Sequence, residues 1–208
     1  MTMWKRTTLI SAGALAVLVL LTGCSSSNET EHPAGHSAPS SATAAPATTA
    51  AAEAHNDADV IFAQQMIPHH TQAIEMSDTL LAKQGIDPRV TELANQIKAA
   101  QGPEIQQMQG WLTQWGTPAM PSMSGHDDMP GMTGMMSEQD MTALTDSQGA
   151  DAGKLFLTQM IAHHEGAITM AQTEIKDGQY PPALELARAI ASTQQQEIDT
   201  MKGILASL

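Results

Sequence analysis

The amino-acid sequence predicts an all-α fold: a four-helix bundle made of two helical hairpins joined by one long connection. Three observations carry that prediction. The chain contains an internal repeat that spans both hairpins, its apolar residues recur at three- and four-residue steps, and Gly and Pro punctuate the places where helices stop and start. The first part of the repeat is Phe62-x3-Met66-Ile67-x-His69-His70-x2-Ala73-Ile74-x-Met76, matched by Phe156-x3-Met160-Ile161-x-His163-His164-x2-Ala167-Ile168-x-Met170. The second part is Leu93-Ala94-x2-Ile97-x3-Gln101-x2-Glu104-Ile105-x2-Met108, matched by Leu186-Ala187-x2-Ile190-x3-Gln194-x2-Glu197-Ile198-x2-Met201. The chain has 2 phenylalanines, and they occupy equivalent positions in the two halves.

Residues 1–24 precede the fold. Lys5 and Arg6 form a basic start, and the apolar run Leu9 to Leu21 is shorter than the ~20 residues of a membrane span, so this segment reads as a signal sequence. It ends in Leu21-Thr22-Gly23-Cys24, which resembles the lipobox of bacterial lipoproteins, and Cys24 is the 1 cysteine of the chain. Lipidation there removes the liability of an unpaired thiol in an exported protein and anchors the chain on the outer face of the cytoplasmic membrane. Cleavage at an ordinary small-residue site is the alternative. Residues 25–56 are Ser, Thr, Ala, Pro and Gly with almost no large apolar side chain. Such a stretch cannot bury enough surface to offset the entropy of ordering, and it reads as a disordered tether reaching roughly 30 Å on a random-coil estimate.

The remaining domain, 57–208, divides into four helical segments. Helix one is expected from Asp57 to Gln84, with Phe62, Met66, Ala73, Ser77 and Leu80 on one stripe and Gly85 as its stop. Pro68 falls inside it and should kink it beside His69. Asp87-Pro88 opens helix two, which runs to Trp115. The connection 116–150 contains MPSMSGHDDMPGMTGMMSEQDM, whose Gly, Pro and Ser argue against regular structure. Helix three is expected from Asp151 to Asp177 with Gly178 as its stop, and Pro181-Pro182 opens helix four, which continues nearly to Leu208. Two hairpins with one long crossover suit a ferritin-like topology. Independent hairpins, or a swapped dimer built from two chains, would bury the same stripes.

Charge narrows the possible partners. There are 9 Lys and Arg, two of them in the leader, against 22 Asp and Glu. That balance argues against nucleic acid and suits a metal ion or a cationic partner. Four of the 8 histidines form the pairs His69-His70 and His163-His164. With Met66 at the centre of the buried stripe, His69 falls about 60° to one side and His70 about 40° to the other, so both flank the core seam. On helix two, Ile97, Gln101, Glu104 and Met108 share a stripe, which turns Glu104 inward; Glu197 has the same place on helix four. An inward carboxylate needs a partner, either a histidine of the neighbouring helix or a metal ion held with it.

The doubled M-I-x-H-H-x2-A-I-x-M signature, followed each time by Q-x2-E-I-x2-M, resembles the domain-of-unknown-function 305 (DUF305) family. This is an exported bacterial group with a ferritin-like helical bundle, and it includes periplasmic copper-binding proteins implicated in copper resistance. The resemblance implies copper binding through the repeated His and Met positions: Met66, His69, His70 and Met76 with Glu104 and Met108, and Met160, His163, His164 and Met170 with Glu197 and Met201. The connection adds an independent set of candidates, Met120, Met123, His126, Met129, Met132, Met135 and Met136. Thioethers there favour Cu(I), while imidazole can complete a site or serve Cu(II).

Three functional readings follow. The first is a lipid-anchored copper-binding or sequestering protein, with a copper-handling partner protein or an oligomer possible. The second is a di-iron enzyme, which needs more inward carboxylates and a Glu three residues before its histidine; neither pair has that Glu. The third is a structural or interaction module in which buried His–Glu pairs fix helix register.

Overall fold

The computed structural model describes residues 54–118 and 133–208. Among the described residues there are five helices and no strand: α1 (Asp57–Leu81), α2 (Pro88–Gln114), α3 (Glu138–Asp146), α4 (Gly149–Asp177) and α5 (Pro181–Leu205). The leader, Cys24 and nearly all of the expected tether lie outside the described residues.

The local chemistry explains the boundaries. At the start of α1 the Asn56 side chain accepts from the amides of Ala58 and Asp59, and the Asp59 carboxylate accepts from the Asn56 amide, a reciprocal cap. Asp87 caps α2 through the Arg89 amide, with Pro88 in the first turn where its missing N–H costs nothing. The α1 helix ends at Leu81, short of the Gln84 expected from the sequence, because residues 82–85 form the turn that Gly85 closes at φ 74°. Pro68 and Pro103 both lie inside helices that continue through them.

The connection corrects the expectation of an irregular 116–150. Residues 138–146 form α3, and α4 begins at Gly149 rather than Asp151. Ser137 accepts from the Asp140 amide while the Asp140 carboxylate accepts from the Ser137 amide and hydroxyl, and this cap lets a short helix start directly after the glycine-rich stretch. Leu144 is fully buried and anchors α3 to the core.

α1 packs on α2 and α4 on α5; α1 also packs on α4, α2 meets α5, and α3 lies against α1 and α4. The interior is divided into two apolar clusters. One holds Ala73, Met76 and Leu80 of α1 with Phe156, Leu157 and Met160 of α4, and Val90 to Ile97 of α2 with Ile198 to Ile204 of α5. The other holds Phe62 to Ile67 with Ala167 to Ala171, and Met108 to Leu112 with Ala183 to Ile190. Between them every long helix changes from apolar to polar: His69 and His70 on α1, Gln101 and Glu104 on α2, His163 and His164 on α4, Gln194 and Glu197 on α5. The repeat thus generates a polar layer across the middle of the molecule.

Candidate metal centre

All four paired histidines are fully buried. His70 Nε2 donates to Glu104 Oε2 at 2.7 Å, and His164 Nε2 donates to Glu197 Oε2 at 2.7 Å. These are the same contact made twice, since the carboxylates sit at equivalent places on α2 and α5. The inward turn expected for both acids is correct, and each keeps partial exposure, 22% and 15% of the side chain. A histidine and a water-facing oxygen together lower the cost of bringing each carboxylate inward.

The other two histidines meet each other. His69 and His163 approach with ring centroids 3.7 Å apart and planes tilted by 39°. Burial holds both imidazoles well below the ordinary histidine range, and the neighbouring histidines push them further down. Both are therefore neutral at pH 7. His69 Nε2 lies 3.3 Å from the carbonyl of Thr133, and because a carbonyl only accepts, that nitrogen carries the proton and Nδ1 the lone pair. Neither ring nitrogen of His163 makes a well-formed hydrogen bond; its one polar neighbour is the backbone of His69. Nδ1 is likewise unpartnered in His69, His70 and His164. A buried imidazole with nothing to bond is costly, by about 1–3 kcal/mol for each unsatisfied group, and a metal ion is one way to remove that cost.

The connection reaches this layer from above α4. Thr133 and Gly134 cross the helix at Gly166 so closely that a Cβ on Gly166 would lie 1.9 Å from the Thr133 carbonyl oxygen, and one on Gly134 2.8 Å from that of Ala162. Two bonds fix the next turn: Gln72 Nε2 donates to the Met136 carbonyl at 2.8 Å, and the Met136 amide donates to Gln72 Oε1 at 2.7 Å. Met136 is buried in the apolar core, which gives it a packing role the sequence reading did not assign; Met135 is half-buried. Met120, Met123, His126, Met129 and Met132 lie outside the described residues.

Of the methionines expected around the histidines, Met66 and Met160 stand one helical turn from them, and Met76 and Met170 about two turns away. Met76, Met160 and Met201 belong to one apolar cluster and Met66, Met108 and Met170 to the other, so sulfur lies on both sides of the polar layer. Among the described residues no group of three or more His, Cys, Asp or Glu side chains is arranged to hold a metal ion. The donor types suit a soft or borderline ion, and holding one requires imidazole rotation within the layer. The sequence reading placed Gln101 on the inward stripe but gave neither it nor its repeat mate Gln194 a role at the site; both are buried in the same layer. It also missed Asp59 and Glu174, which meet where α1 begins and α4 ends.

Residues 59–205 match the model of DUF305, a domain of unknown function. The chain belongs to the DUF305 family. A DUF305 fragment from Deinococcus radiodurans is similar at 33% identity, over 74% of this chain and 98% of that one, with a TM-score of 0.66. A DUF305 protein from Streptomyces coelicolor, described as a secreted protein, is 32% identical over 72% of this chain and 91% of that one, TM-score 0.66. CopM in its Cu(II)-bound form is 32% identical over 72% and 96%, TM-score 0.62, and in its Cu(I)-bound form 30% identical over 72% and 96%, TM-score 0.59. No curated protein matches the chain. The DUF305 match begins at Asp59, in the cap of α1, and ends at Leu205, the last residue of α5, so the family domain coincides with the five helices.

Proposed function

We propose that this DUF305 protein is a copper-binding protein, in which a ferritin-like four-helix scaffold of two repeated hairpins presents a buried histidine layer to the metal. The observation that carries the reading is His163, a fully buried neutral imidazole with no well-formed hydrogen bond beyond its contact with the His69 backbone, its ring 3.7 Å from that of its repeat mate His69. The likeness to CopM, known in Cu(I)-, Cu(II)- and Ag-bound forms, supports it. In this reading His69, His163, His70 and His164 supply nitrogen, and Met66 and Met160 supply sulfur from one turn away. Glu104 and Glu197 hold the outer imidazoles in place. The Met-rich stretch between Met120 and Met136 is a second set of soft donors favouring Cu(I). Copper here is cargo, bound for sequestration or transfer in copper homeostasis.

A structural role has its own support, because the two His–Glu contacts at 2.7 Å satisfy His70 Nε2 and His164 Nε2 without metal. That explanation does not extend to His163. The di-iron reading finds no support in a layer whose carboxylates, among the described residues, are Glu104 and Glu197.

Anaerobic titration of the chain lacking residues 1–24 with Cu(I), Cu(II), Zn(II) and Fe(II), each in competition with a chelator of known affinity, tests the reading. Copper retained against the chelator, with iron released, is the expected result; copper lost as readily as iron contradicts it. For location, we propose a lipid anchor at Cys24. No described helix is long and apolar enough to cross a membrane, so attachment would depend on that anchor or the leader. Cys24→Ala is expected to abolish maturation or membrane retention, and an unchanged membrane fraction would remove the claim.

A further inference from the structure

The polar layer has a second face, away from the His69–His163 pair. Gln101 and Glu104 of α2 and Gln194 and Glu197 of α5 line one small crevice at the seam where these helices meet, together with Ala100, Ile190 and Thr193. Its free volume is about 10 Å³, room for about one water molecule or one dehydrated ion. We propose that this crevice is a metal site separate from the histidine layer, taking a single divalent cation through oxygen ligands.

Four observations support it. Gln101 is 2% exposed and neither its Oε1 nor its Nε2 has a hydrogen-bond partner; Gln194 is 3% exposed and its Oε1 has none. Buried amides left unpaired are destabilising, and two at repeat-related positions are not a single packing accident. Each glutamate uses Oε2 for its histidine, which leaves Oε1 available. The histidine bonds also fix each carboxylate's orientation, as groups behind metal ligands commonly do. Finally, two carboxylates facing one crevice concentrate negative charge, which one divalent ion would offset.

The donor set is two amide carbonyls and two carboxylates, all hard oxygen. Such a set suits Mn(II), Mg(II) or Cu(II) and discriminates against Cu(I) and Ag(I), which favour the sulfur and imidazole of the interior. The molecule would thus separate hard from soft ions across one layer, the hard site at the α2–α5 seam and the soft donors on α1 and α4. The proposal shares Glu104 and Glu197 with the copper reading but does not depend on copper entering the histidine layer.

The test uses the purified full chain and Mn(II), a paramagnetic ion that prefers oxygen, followed by electron paramagnetic resonance and calorimetry at physiological ionic strength. The parent is expected to bind one Mn(II) per chain, displaced by Cu(II) and not by Ag(I). Gln101→Leu with Gln194→Leu should weaken that binding at least tenfold. Helix content should be unchanged, and the apo melting temperature unchanged or higher, because unpaired buried amides are removed. If the double variant does not fold, Gln101→Met alone is read in the same way. Mn(II) bound equally by parent and variant would place the ion on surface carboxylates and overturn the proposal. So would no Mn(II) binding at all, which would leave a buried water as the partner of the amides. A Cu(I) titration on the same samples separates the two readings: Cu(I) retained while Mn(II) is lost in the variant supports both sites, and Cu(I) absent from parent and variant alike defeats the copper reading alone.

Discussion

Glu174 shows what a single residue can do in this scaffold. It is 1% exposed at the end of α4, against Asp59 at the start of α1. Asp59 accepts from the backbone amides of Asn56, Gln179 and Tyr180, so it ties the first helix to the α4–α5 turn. Burial raises the Asp59 carboxyl, but these amides and Glu174 outweigh it and leave Asp59 below its ordinary value. Burial, then the hydrogen bond and charge of Asp59, push Glu174 up to about 8. As a carboxylate, Glu174 would have both oxygens unpartnered; by keeping its proton it becomes a donor to Asp59. The sign follows from linkage. The folded state holds this proton more tightly than the unfolded chain, so the stabilisation is complete below the unfolded carboxyl value of 4.5. It erodes as pH rises and is gone above about 8. Chemical denaturation of the parent should therefore show stability falling with pH across that window, on the order of 1 kcal/mol per pH unit. In Glu174→Gln, which keeps a donor for Asp59 and cannot ionise, the slope should be largely absent. An identical slope in both would remove Glu174 as its cause. This pair was not legible in the sequence, since nothing in either helix's periodicity says that the first turn of α1 meets the last turn of α4. The His70–Glu104 and His164–Glu197 pairs were legible, because each acid sits on the inward stripe of the partner helix in its own hairpin.

Among elements, the segment 133–136 and α3 carry information that composition concealed. Gly, Pro and Ser in the connection read as irregular, but one reciprocal cap at Ser137 and one buried leucine are enough to start and hold a nine-residue helix. The crossing over α4 depends on two glycines, and that dependence can be tested. Gly166→Ala places a Cβ against the Thr133 carbonyl, backbone against backbone, and should cost about 1–3 kcal/mol or displace the crossing. Gly110, inside α2 with nothing within 4 Å of an added Cβ, is the control: Gly110→Ala should stabilise by about 0.5–1 kcal/mol. Urea unfolding of the two variants measures both, and a neutral Gly166→Ala would mean the crossing is looser than described. The four long helices were readable from their apolar stripes and from the Gly and Pro at their boundaries, with errors confined to their ends, whereas α3 was not read at all. Helix α1 stops at Leu81 because the turn to Asp87 takes up the residues that periodicity alone would leave in the helix.

For the whole molecule, duplication explains the architecture. Each hairpin has an apolar stripe interrupted at the same level by polar residues, so packing two copies together produces two cores and one polar layer between them. The sequence shows that the histidines flank the core; it does not show that His69 and His163 meet ring to ring, which depends on how α1 crosses α4. That contact is the heart of the copper-binding proposal. It is tested most directly by thermal unfolding of the parent and of the His69→Leu, His163→Leu variant, each with and without excess Cu(I) under anaerobic conditions. The variant leaves both His–Glu pairs and the Met-rich connection intact. If the paired His69 and His163 hold copper, Cu(I) at about a hundred times its dissociation constant should raise the parent's melting temperature by about 5–10 °C. The variant should lose most of that rise, the remaining donors holding copper far more weakly. A variant that keeps the full copper-dependent rise would contradict the proposal and place the metal outside the histidine layer.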